Sequence, residues 1–119
     1  MQVLSKSTLQ GAGMDISTKV ELSALYELYG NSLTQKQQQV IDFCVLQDLS
    51  LGEVSDLLNI SRQAVKYTLD NAAESMLKLE NKLNILTKFQ NIKQQLTDLL
   101  ENTKDSSLKQ QINKILEEL

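Results

Sequence analysis

The sequence predicts an all-α protein: a helix-turn-helix domain followed by a long helix and a C-terminal helix. Three observations carry that prediction. The 119 residues contain no proline and only four glycines, the residue types least tolerated inside helices. Apolar residues recur at steps of three and four through most of the chain, the period of a helix rather than a strand. Finally, Ser50-Leu-Gly-Glu-Val-Ser-Asp-Leu-Leu-Asn-Ile-Ser-Arg-Gln-Ala-Val-Lys-Tyr-Thr-Leu69 holds two short amphipathic segments on either side of Asn59. That is the pattern of two helices joined by a tight turn.

Residues 1–13 differ from the rest of the chain and end in Gly-Ala-Gly before Met14, which looks like a second start. They read as a leader derived from an expression vector, with the natural protein beginning at Met14 and residues 14–80 forming the helix-turn-helix domain. Thr18 and Glu21 have capping-box spacing, and Leu22, Leu25, Tyr26 and Tyr29 then share one helical face. Gly30 stands where a helix terminator is expected. Thr34 and Gln37 repeat the capping-box spacing ahead of a second apolar face of Val40, Ile41, Cys44 and Val45. These two helices are expected to bury the inner side of the motif, since no helix of this length is stable alone in water.

The motif opens on a third capping box, Ser50 with Glu53, and Val54, Leu57 and Leu58 form its first inward face. Asn59 is expected to take a left-handed conformation at the turn, because Asn tolerates it better than most residues. Ile60 plugs the corner, and Ser61 caps a second helix that carries Ala64, Val65 and Leu69 inward. Arg62, Gln63, Lys66 and Tyr67 are left to face outward. Arg and Gln near the start of such a helix reach guanine or adenine edges in a major groove.

Beyond the motif, Leu69, Ala72, Met76, Leu79, Leu83 and Leu86 continue the steps of three and four, with Lys78, Glu80, Lys82 and Lys88 off that seam. From Leu83 to Ile92 every step is three, so a break or change of helix direction is expected around Asn81–Gln90. Asn102–Ser107 reads as a loop, and Leu108, Ile112, Ile115, Leu116 and Leu119 form a last amphipathic helix. Residues 81–119 are thus a helical extension. Its apolar seam, with Leu69–Leu99 and Leu108–Leu119, exceeds what a soluble monomer leaves exposed, and predicts a homodimer.

Composition narrows the function. One cysteine, Cys44, excludes an internal disulfide, and the absence of histidine excludes the familiar Cys/His zinc patterns. Neither a metal nor another cofactor is expected. No catalytic constellation can be named, so the chain does not read as an enzyme. No segment approaches the roughly 20 apolar residues of a membrane span, and a cytoplasmic protein is expected. The net charge is −3. Across Ser50–Glu80, three cations against five carboxylates give 3 − 5 = −2. Non-specific nucleic-acid affinity comes mostly from Lys and Arg, and here the basic stripe is thin.

Leu33-Thr-Gln-Lys-Gln37, Leu49-Ser-Leu-Gly-Glu-Val54 and Ile60-Ser-Arg-Gln-Ala-Val65 together resemble the YlxM-type family. These are small bacterial helix-turn-helix proteins encoded beside components of the signal recognition particle. The same residues are similar to region four of sigma factors. The resemblance covers about Lys19 to Asn84, with only general helical character beyond. Many such motifs carry alanine where this chain has Ser55 and glycine where it has Asn59. Serine is nearly as small, and its hydroxyl is expected to bond back to a carbonyl one turn earlier. Tyr67 and Asp70 stand where a tight DNA reader usually shows further basic residues.

Two functions fit these residues. In the first, the chain is a DNA-binding regulatory protein: Arg62 and Gln63 touch bases, Lys66 and the amides behind Ser61 hold phosphates, and Tyr67 completes the face. The resemblance implies a role in the signal recognition particle pathway. In the second, the chain is an accessory factor that docks on signal recognition particle protein or RNA without binding DNA. The acidic balance and the long C-terminal seam favour that alternative.

Overall fold

The computed structural model describes residues 14–119, in which six α-helices succeed one another without a strand. The expected leader lies outside the described residues. The chain divides into two compact units, the first running to Leu83 and the second spanning Asn84–Leu119.

Helix α1 (Ile16–Tyr29) starts three residues earlier than the spacing of Thr18 and Glu21 implies. Asp15 is the cap, its carboxylate accepting the Thr18 amide at 2.8 Å, while Thr18 is buried inside the helix. A carboxylate outcompetes a threonine hydroxyl there because the helix N-terminus carries partial positive charge. The same hydrogen bond holds the Asp15 pKa below its ordinary value. Gly30 does not terminate α1 in a left-handed conformation; it has φ −58° and opens a 3-10 turn, Gly30–Ser32. Its glycine is required by proximity instead. A Cβ would lie 2.8 Å from the Tyr26 ring.

Helix α2 (Gln35–Ile41) begins on the expected box, with Thr34 and Gln37 exchanging bonds of 3.0 and 3.2 Å. It then runs into a π-helical turn, Asp42–Leu46, closed by the Gln47 amide on the Asp42 carbonyl at 2.9 Å. Val40, Ile41, Cys44 and Val45 are buried across that junction. Burial pushes the Cys44 thiol up to about 11, so it is a packed hydrophobe rather than a nucleophile. Asp48 takes a left-handed conformation, φ 58°, and forms an ion pair with Lys19 of α1.

Helix α3 (Leu51–Leu58) carries the Ser50–Glu53 box, both bonds at 3.0 Å. Val54 is sealed and Leu58 half-buried, but Leu57 is 61% exposed rather than inward. Leu51 and Leu58 lie on one side of Val54 around the helix and Leu57 on the other, where it stays in solvent. Asn59 takes φ 55° and ψ 46°, as the turn demands. The Ile60 amide reaches back to the Ser55 carbonyl at 3.2 Å, the bond that closes a Schellman-type end. Ser55 does not bond back along the helix. Its hydroxyl donates forward to the Ile60 carbonyl at 2.5 Å, stapling the turn from inside.

Helix α4 (Arg62–Leu83) is the longest, about 33 Å at 1.5 Å per residue. Ser61 caps it, accepting the Ala64 amide at 3.0 Å. Val65, Leu69, Ala72, Ala73 and Met76 meet Leu22 and Leu25 of α1, Val40 and Ile41 of α2 and Val54 of α3 in one sealed core. Glu80, expected off the seam, is only 2% exposed and accepts the Tyr29 hydroxyl at 2.7 Å. A buried carboxylate is tolerable only with such a donor.

The helical break falls at Asn84, with φ 54°. In the second unit α5 (Ile85–Asn102) packs against α6 (Ser106–Glu118), which Asp105 caps through the Ser107 and Leu108 amides. Leu86 and Ile112 are buried, whereas Phe89, Ile92, Leu99, Leu108, Ile115 and Leu119 remain between 42% and 57% exposed. Among the described residues no helix is long and apolar enough to cross a membrane.

The turn makes a sharp prediction. Asn59→Val, a β-branched residue forced into the left-handed region, should destabilise by about 1–2 kcal/mol, and Asn59→Gly should cost nothing comparable. Equal melting temperatures for the two variants would contradict it.

Candidate nucleic-acid interface

The motif presents its polar residues because its apolar ones are so fully committed. Val54 on α3 and Val65 and Leu69 on α4 have no solvent exposure, which fixes the rotation of α4 and turns the first two turns' remaining side chains outward. Arg62, Gln63 and Tyr67 are exposed, Tyr67 at 70%, and Lys66 is half-buried. Ser61 stands at the head of the helix with its oxygen on the Ala64 amide.

Four of the five expected site residues come together. Ser61, Gln63, Lys66 and Tyr67 line one open cleft of about 500 Å³, with Ala64 and Asp70. Arg62 is not among them. Its guanidinium lies over α3, where a Cβ added to Gly52 would sit 2.9 Å from Nη2 and 3.1 Å from Cζ and Nε. Near-equal distances to three guanidinium atoms mean that the planar group rests flat on the glycine. Gly within a helix costs up to about 1 kcal/mol relative to Ala; here it makes room for the only arginine in the chain.

Asp70 changes the electrostatics of the face. Its Oδ2 pairs with Lys66 Nζ at 2.9 Å, one helical turn apart, with the carboxylate only 15% exposed. Oδ1 is buried without a partner in the protein. The Lys66 charge is therefore answered from within the helix. A phosphate reaching Lys66 would have to break a pair whose carboxylate is mostly buried, and would then lie beside that carboxylate. The i,i+4 spacing of Lys66 and Asp70 is visible in the sequence. The Gly52–Arg62 contact is not, because it joins two helices. Among the described residues no group of three His, Cys, Asp or Glu side chains is placed to hold a metal ion.

Two helices meeting at a left-handed asparagine, the second capped by serine and showing a polar face, define a helix-turn-helix protein. The chain belongs to the family described as "Putative helix-turn-helix protein, YlxM / p13 like", whose profile matches residues 16–118. That match reaches from α1 through α6, further than the Lys19–Asn84 stretch that carried the resemblance. A UPF0122 protein of Thermoanaerobacter sp. (strain X514) is 38% identical over 101 residues, 82% of this chain and 86% of the relative. One from Listeria innocua is 37% identical over 100 residues, 82% and 90% of the two chains. One from Desulforamulus reducens is 35% identical over 80 residues, 67% and 68% of the two chains.

Replacing Gly52 by Ala should separate stability from positioning. The helix gains up to about 1 kcal/mol of propensity, so the melting temperature should not fall below that of the wild type. The Arg62 guanidinium should be displaced, read as a shifted Nε–H NMR resonance, unambiguous in a chain with one arginine. An unmoved resonance would show that the guanidinium does not rest on Gly52.

Proposed function

We propose that the protein is a cytoplasmic, DNA-binding regulatory factor acting in the signal recognition particle pathway. One observation carries the reading: the head of α4 holds Arg62, Gln63 and Tyr67 in solvent on a helix whose opposite side is locked into a core. A rigid helix with polar side chains at its N-terminal turns is what a major groove accepts. Arg62 and Gln63 are assigned to base edges, Lys66 and the amides behind Ser61 to phosphates, and Tyr67 to the flank of the face. The pathway assignment rests on the family's gene neighbourhood.

A second reading is favoured by charge. Residues 14–83 hold six cations and ten carboxylates, 6 − 10 = −4, and Lys66 is already paired with Asp70. A face so poorly supplied with positive charge suits an accessory factor that docks on signal recognition particle protein or RNA.

The two are separable by experiment. If DNA is bound, Arg62→Ala should cost about 1–3 kcal/mol and relax preference at one base position, while Lys66→Ala weakens all sequences alike. Gel-shift titrations with genomic fragments at two salt concentrations, run beside pull-downs with the particle's protein and RNA, provide the readout. No shift at low salt with a positive pull-down would replace the first reading by the second.

The proposal includes a homodimer. Ile85, Phe89, Ile92, Leu96 and Leu99 on α5, and Leu108, Ile112, Ile115 and Leu119 on α6, keep to the alternating three-four steps of a coiled-coil seam. Pairing α5 with α6 leaves most of those side chains half exposed, and a second copy is the simplest cover. Light scattering at micromolar concentration should give twice 13.4 kDa, and a folded variant with Ile92→Asp and Leu96→Asp should fall to the monomer mass. A wild-type mass of one chain would refute the dimer.

A further inference from the structure

We propose that the C-terminal half of α4 carries a second site, a clamp for the phosphodiester backbone of nucleic acid built from Ser75, Lys78, Asn81 and Lys82. The inference rests on the nucleic-acid reading above and assigns to that reading the charge that its base-reading face lacks.

The site is a cleft of about 560 Å³ in the first unit, lined by Ser32, Ser75, Lys78, Leu79, Asn81 and Lys82. No carboxylate lines it, although residues 14–83 contain ten. The cleft on the reading face, by contrast, includes Asp70. Of the six cations in residues 14–83, Lys19 pairs with Asp48 and Lys66 with Asp70, while Arg62 is exposed with its guanidinium over Gly52. Lys82 has no ion pair among the described residues, and neither Ser75 nor Asn81 makes a side-chain hydrogen bond there. Lys78 approaches Glu74 at 3.6 Å with both side chains largely in water, 76% and 47% exposed. A pair of that kind is worth little and yields readily to a phosphate. Ser32 contributes a wall rather than a donor, because its hydroxyl is spent on the Tyr29 carbonyl at 2.6 Å.

The spacing suits one anion. Lys78 and Lys82 are one helical turn apart, so both ammonium groups can converge on a single phosphate or on two neighbours. Ser75 and Asn81 add neutral donors, and Leu79 with the lysine stems offers an apolar floor for a sugar. Position points to backbone rather than bases. From Lys66 to Lys82 is sixteen residues, about 24 Å along α4; around its axis Lys78 projects about 60° from Gln63, and Lys82 about 100° from Gln63 and about 160° from Lys66. A major groove is about 12 Å wide. When the first turns of α4 enter a groove, this cleft lies beyond the groove's width on an adjoining side of the helix, where backbone rather than bases is in reach. Contacts there supply affinity and register without sequence information.

The test uses the full chain and three probes: a mixed-sequence 16-base-pair DNA duplex, an RNA hairpin, and poly-glutamate as an acidic-protein control. Amide resonances of Ser75, Lys78, Asn81 and Lys82 should move with the nucleic acids and not with poly-glutamate. The variant with Lys78→Gln and Lys82→Gln should bind every sequence about tenfold more weakly at 50 mM salt and lose about two from the log–log salt slope. Its melting temperature should match wild type. Wild-type affinity and slope in that variant, while Arg62→Ala still weakens binding, would overturn the clamp and leave the reading face standing. Loss of binding in that variant with Arg62→Ala and Gln63→Ala silent would uphold the clamp and overturn the reading face. Poly-glutamate moving the same resonances as strongly would overturn the assignment to nucleic acid in favour of an acidic protein segment.

Discussion

The arrangement depends on how closely three helices approach one side of α4. Ala72 and Ala73, both fully buried, leave almost no side chain at mid-helix, and the larger Val65, Leu69 and Met76 fill the spaces around them. Helix separation is set by the side chains at the contact, so small residues flanked by large ones fix both distance and rotation. Tyr29 and Glu80 close the far end with a buried hydrogen bond whose direction leaves little freedom. Once α4 cannot roll, Gln63 and Tyr67 cannot turn inward. The polar face is a by-product of the core.

What can be read from the sequence, and what cannot, divides by distance along the chain. The boxes at Thr34 and Ser50, the Ser61 cap and the left-handed Asn59 are local, each decided within four residues, and all are present. Asp15 escapes that reading although it too is local, because two residues of the right type stand three apart further on. Leu57 and Glu80 depart from expectation for a different reason. Helical period alone says which residues share a face, not how wide the covered face will be, and α3 is covered over less than its apolar width while α4 is covered over more. Gly52 is invisible as a site residue because its role is to lie beneath a side chain ten positions on.

In the motif, shape and charge are not matched. The geometry is that of a helix-turn-helix, yet the unit that carries it has four more carboxylates than cations. Asp70 sits where additional positive charge would have been simple to place, and Lys66 is drawn to it. On the proposed nucleic-acid reading, such a unit gains little from long-range attraction to phosphates. Under that proposal its contacts discriminate at short range, through shape, hydrogen bonds and the few cations left in the open.

The sealed thiol has a practical corollary. With Cys44 at 2% exposure and titrating near 11, only about one molecule in a thousand holds it as thiolate at pH 8. A cysteine introduced at an exposed position would react with maleimide far ahead of it. Fluorescent or spin labels can therefore be placed one at a time without first removing the native residue. The core keeps its packing while the surface is mapped.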